Sequence, residues 1–106
     1  MVEYIILKKP ILEELKVFNM ALDLILEDWS DYDNNKIIGK VDSSKFSCEE
    51  KWEVDYLKKK ILMSFPDVEI EAIDAAIKLC CLAIKAPRPR KTFVSCVLKR
   101  LELYKV

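Results

Sequence analysis

Three groups of side chains in this sequence are of types that can do chemistry: the cysteines Cys48, Cys80, Cys81 and Cys96, an Asp/Asn-rich run from Asp31 to Asp42, and a cationic segment that begins at Lys85. Thiolates bind zinc or act as nucleophiles. Carboxylates and amide oxygens ligate calcium. Clustered cations hold phosphate or acidic chains.

The cysteines lack the company that zinc or catalysis requires. The chain has no histidine and no C-x-x-C pair. Adjacent Cys80 and Cys81 would project roughly 100° apart on a helix. They read as reduced, small, buried hydrophobes, with Cys80 or Cys81 in the core beside Ile77 and Ile84. The missing histidine also removes Ser-His and Cys-His pairs and imidazole general bases. A single glycine, Gly39, removes the phosphate-cradling P-loop and the dinucleotide fingerprint, which need several. No catalytic residue, cofactor or metal is therefore assigned, and the chain is not expected to be an enzyme. An enzyme or metal binder of another kind stands third among the readings.

In the acidic run, Asp31, Asp33, Asn35 and Asp42 fall where an EF-hand calcium loop carries oxygens, with apolar Ile38 between them. Three departures count against calcium. Lys36 stands where the sharp turn needs glycine, Asp42 replaces a bidentate glutamate, and the next helical pattern starts five residues too late. The stretch reads as a solvated turn whose side chains bond their own backbone.

The cationic segment is the stronger asymmetry. Residues 84–106 carry seven cations against Glu102 alone, so residues 1–83 must be net acidic for the formal total to be zero. Arg88, Arg90 and Lys91 precede the start of the last helical pattern, where unpaired amides favour anions, and Lys99 and Arg100 extend the positive face. These five are the candidate anion- or partner-binding residues. Equally, the segment can neutralise the protein's own acidic body, and a chain of zero net charge lacks the basic excess of nucleic-acid domains.

The elements that must position these groups are helical. Ile11, Leu12, Leu15, Phe18, Leu22, Ile25, Leu26 and Trp29 recur on one stripe, predicting a first helix over 10–29 behind Pro10. Val17, Met20 and Leu24 make a second stripe on its far side and are the candidate interface. Ser47 with Glu50 reads as a capping box for a second helix that stops before Pro66, in which Asp55 can pair with Lys59. Asp67 is the expected cap of a third helix, ending near Ala86 before Pro87 and Pro89. Thr92 is the expected cap of a fourth, a surface helix with Phe93, Val94, Val97, Leu98, Leu101 and Tyr104 inward. Val2–Leu7 is a further helical turn or an extended arm. Residues 30–46, seventeen without helical pattern, are expected to form a mobile loop that either contains a small ribbon over Lys36–Val41 or is partly disordered.

A chain of 106 residues, 52% apolar and 34% charged, supports one core. The expected fold is all-α: a compact single-domain bundle of four main helices, the first and third inside, with a long loop (about 30–46) between helices 1 and 2. Apolar runs near Leu22–Leu26 and Leu79–Ile84 are too short to span a bilayer. Nothing at the N-terminus resembles a secretory signal, so the expected location is cytoplasmic, away from membranes. The expected function is a small non-enzymatic protein-interaction module, such as a subunit, adaptor or antitoxin/immunity-type protein. Its partner would be another protein or a second copy in a homodimer. The alternative is a nucleic-acid or phosphate binder acting through residues 85–105.

Overall fold

The computed structural model describes residues 15–102. The expectations placed on Val2–Leu7, on the helix start at Pro10 and on Tyr104 lie outside them. The described chain is mostly helical, as the sequence predicts, with five helices where four were expected. Helix α1 covers residues 15–26, α2 Ser30–Ile38, α3 Lys51–Ser64, α4 Ile70–Ala83 and α5 Arg90–Leu101. A short antiparallel ribbon pairs β1 (Lys45–Phe46) with β2 (Arg88–Pro89). No helix among the described residues is long and apolar enough to cross a membrane.

The first correction is at residues 27–38. The helix expected to run to Trp29 ends at residue 26, because Asp28 adopts a left-handed backbone, φ 50°. Asp28 tolerates this conformation because its short carboxylate bonds locally, here accepting from the Ser30 hydroxyl at 2.7 Å. Those Ser30 bonds, hydroxyl first and then backbone amide, hold the Asp28 carboxyl below the usual carboxylate range. From α3, the Lys60 ammonium donates to the carbonyls of Glu27 and Asp28. It supplies positive charge where a helix C-terminus leaves acceptors unpaired. Trp29 turns inward and donates its indole N–H to the Ile25 carbonyl at 2.6 Å.

The expected loop over 30–46 is therefore largely helix α2, and the ribbon lies at 45–46 rather than 36–41. Asp31 and Asp33 sit in the first turn of α2 and Lys36 in its last, which suits the helix dipole at both ends. The same winding separates the oxygens of the calcium-like run along a helix, so they do not converge. Trp29, Tyr32 and Lys36, at helical spacing, form the inward side of α2.

The other helix ends also moved. Helix α3 starts at Lys51 behind Glu50, and Ser47 does not cap it; the Ser47 amide instead donates to the Glu53 carboxylate at 2.9 Å. Asp55 pairs with Lys51 rather than Lys59. Helix α4 starts behind Glu69, not Asp67, and ends at Ala83. Helix α5 starts at Arg90, two residues ahead of the expected Thr92 cap, because the Arg90 amide is satisfied by the Ser44 carbonyl at 2.8 Å beside the ribbon.

The core gathers Phe18, Leu22 and Ile25 from α1, Leu57 and Ile61 from α3, Ile73, Ile77 and Cys80 from α4, and Phe93, Val94, Val97 and Leu98 from α5. Each of the three later helices repeats its inward residues every three or four positions, as the period requires. The Phe46 ring stacks on Phe93 at 4.5 Å and Trp29 lies 5.1 Å from Tyr56 of α3, which holds the ribbon and the α1–α2 corner onto the bundle. The expectation that the first and third helices lie inside is corrected. Met20 and Leu24 on α1, and Leu79 and Leu82 on α4, are exposed, so both helices lie at the periphery.

Candidate interaction surfaces

The five candidate cations divide into two groups. Arg88 is buried, 7% exposed. Its guanidinium donates to the carbonyls of Ile84 and Cys81 and pairs with Glu49 at 3.3 Å. Arg90 pairs with Asp33 at 2.7 Å, donates to the Ser43 carbonyl and lies 4.8 Å over the Trp29 ring. Both are committed to the protein's own fold, joining the α4–α5 connection to α2 and to the turn before α3. Lys91, Lys99 and Arg100 are exposed, with the Lys99 ammonium 5.7 Å from the Phe18 ring. The structure thus does not bring the five together as one site.

The residues that sequence reasoning missed form a buried polar cluster. The Lys36 ammonium pairs with Glu53 at 2.9 Å, with 3% and 2% of the two side chains exposed. The Tyr32 hydroxyl donates to the second Glu53 oxygen at 2.5 Å and lies 2.9 Å from the Lys45 carbonyl. With one proton to give, it favours the carboxylate. Burial first, then this bond, push the Tyr32 phenol well above its ordinary value. The cluster ties α2, β1 and α3 together and leaves no buried side-chain N or O unpaired among the described residues. A signal was available: Glu53, Leu57 and Ile61 lie four apart, as do Tyr32 and Lys36, so each charge sits on a stripe that its neighbours bury.

The cysteines are corrected as well. Cys48 and Cys81 form a disulfide, because β1 and the turn after it bring residue 48 beside the end of α4. Cys80 is buried in the core as expected, and Cys96 is half-buried. Burial, with the Cys96 thiol close by, pushes the Cys80 thiol up to about 12. It stays protonated near neutral pH and is a poor nucleophile. Alkylation of the folded protein at pH 8, followed by mass spectrometry, is expected to label Cys96 first and Cys80 only on unfolding. Equal rates would show that the core admits the reagent.

The disulfide floors an open groove of about 590 Å³ walled by Val54 of α3 and Ile77 and Leu82 of α4. Asp74 stands on its rim, bonded to Lys58 at 2.7 Å and Lys78 at 3.2 Å, bonds that hold its carboxyl below the usual range. Among the described residues no cluster of three or more potential metal ligands occurs.

The candidate interface on α1 is placed as follows. Met20 is 66% and Leu24 51% exposed, Val17 is half-buried, and Phe18, Ala21, Leu22 and Ile25 occupy the opposite side. Met20, Asp23, Leu24 and Glu27 surround a shallow depression of about 390 Å³. The chain matches no family model, no curated protein and no solved structure.

Proposed function

We propose that this chain is a non-enzymatic interaction module that presents the outer face of α1 to a protein partner. The observation that carries this reading is the exposure of Met20 and Leu24 on a helix whose opposite face is locked into the core. Exposed apolar side chains that share one helical face mark contact surfaces more than isolated ones do. Lys60 bonds the carbonyls at the end of α1, so a partner would meet a helix already formed and little ordering entropy would be lost on binding.

A second reading has one observation in its favour: Lys91, Lys99 and Arg100 remain exposed and could hold phosphate or nucleic acid. Arg88 and Arg90, which the sequence placed with them, are occupied internally, and this ranks the reading below the first.

Replacing both Met20 and Leu24 with glutamate tests the proposal. Surface substitutions usually shift stability by less than about 0.5 kcal/mol, so the variant is expected to fold and to lose its protein partner in affinity capture. If it keeps every association, while Lys91→Ala, Lys99→Ala and Arg100→Ala together abolish salt-sensitive binding to nucleic acid, the second reading replaces the first.

A further inference from the structure

We propose that the partner of α1 is α1 of a second copy of this chain, paired antiparallel about a twofold axis; this rests on the reading of α1 as the docking surface. Two independent features point to it.

The first is shape. Met20, Asp23, Leu24 and Glu27 stand at positions i, i+3, i+4 and i+7, and the depression they surround is the four-residue hole that receives a side chain when two helices pack knob into hole. An exposed methionine is suited to fill it, since its unbranched, polarizable side chain adapts to irregular gaps.

The second is charge. Lys16, Met20 and Asp23 recur every four and three residues along the outward side of α1, Glu27 follows four residues on at the bend just past its end, and all four are exposed. Lys16 stands at one end and Glu27 at the other, about 16 Å apart at helical rise, with Asp23 between them. A parallel pair would lay like charge on like. In the antiparallel register that seats Met20 of one copy in the hole of the other, Lys16 of each copy falls opposite Glu27 of its partner, twice by symmetry. The surface is therefore self-complementary, and an isologous contact of this kind closes at two copies. The paired segments are short, so the dimer is a reversible one at the low end of interface size.

Sedimentation velocity of the intact chain over a concentration series up to about 0.5 mM tests the proposal, a range suited to small interfaces. The expected result is a monomer–dimer equilibrium. Lys16→Glu or Glu27→Lys alone should weaken dimerisation about tenfold, because each turns two attractive pairs repulsive. The combination of both should restore it. All three variants alter exposed side chains, and far-ultraviolet circular dichroism checks that they fold. A folded monomer throughout the series overturns the proposal, as does a charge-swapped double variant that fails to recover. If the protein is monomeric and the Met20/Leu24 double glutamate variant still loses a different protein, self-pairing fails while the role of α1 stands. If a dimer forms and survives the double glutamate variant, both fail.

Discussion

Glu53→Ala is expected to destabilise the protein by about 3–5 kcal/mol, the cost of leaving one partner of a buried ion pair unpaired. With 3% of Lys36 exposed, its ammonium would be left buried without its ion-pair partner. The Ser47 amide and the Tyr32 hydroxyl would lose an acceptor in the same step. Only the hydroxyl has a replacement nearby, in the Lys45 carbonyl. Domains of this size are stable by roughly 5–15 kcal/mol, so one substitution removes a large share. Urea unfolding followed through Trp29 and Trp52 measures the effect. Replacing both partners, Lys36→Met with Glu53→Leu, should recover part of the loss, because apolar isosteres avoid the desolvation that the pair itself incurs while the Ser47 amide stays without its acceptor. A Glu53→Ala midpoint within experimental error of the parent would show that the cluster contributes nothing to stability.

That cluster also explains which parts of the fold could be read in advance. Helices α3, α4 and α5 announce themselves through apolar repeats such as Leu57–Ile61, Ile73–Ile77–Cys80 and Phe93–Val94–Val97–Leu98, with Glu53 the one buried charge, one turn ahead of Leu57 on the α3 stripe. Helix α2 does not, because one of its inward positions is Lys36, and a hydrophobic pattern passes over a buried cation whose counter-ion lies seventeen residues away. The break after α1 was hidden for a related reason. Trp29 keeps the stripe of the preceding helix while its backbone has already left it. The cause lies in the Asp28 conformation and in Lys60, which only tertiary structure brings to the same place. Helix starts were misplaced where a long-range bond displaced a local cap: Ser44 on the Arg90 amide and Glu53 on the Ser47 amide. Among the candidate site residues, sequence placed Val17, Met20 and Leu24 on an open face; Met20 and Leu24 are exposed and Val17 is half-buried. It left Arg88 and Arg90 between a free cationic surface and neutralisation of the protein's own acidic body. The internal pairing follows the second reading for these two, while the identity of the partners, Glu49 and Asp33, depends on tertiary structure.

Reduction of the Cys48–Cys81 bridge, or its replacement in a Cys48→Ser/Cys81→Ser variant, is expected to lower stability by about 3–4 kcal/mol. The bridge closes a loop across 33 residues, and closing a loop of that length restricts the unfolded chain by roughly this amount in the chain-entropy model. Most of the effect should appear as a lower urea midpoint, because the native turn before α3 keeps two other anchors: Glu49 on Arg88 and the Ser47 amide on Glu53. A comparison of unfolding with and without a phosphine reductant reads the difference directly. Alkylation of the denatured, unreduced protein should modify Cys80 and Cys96 and spare Cys48 and Cys81. Four modified cysteines in protein taken from its native source would mean that the pair is held reduced there, as the cytosol holds most thiols, in agreement with the cytoplasmic location expected from the sequence. Two modified cysteines would place the folded chain in an oxidising compartment. In that case a midpoint unmoved by the reductant would show that the bridge contributes little to stability, with the two remaining anchors enough to hold the turn.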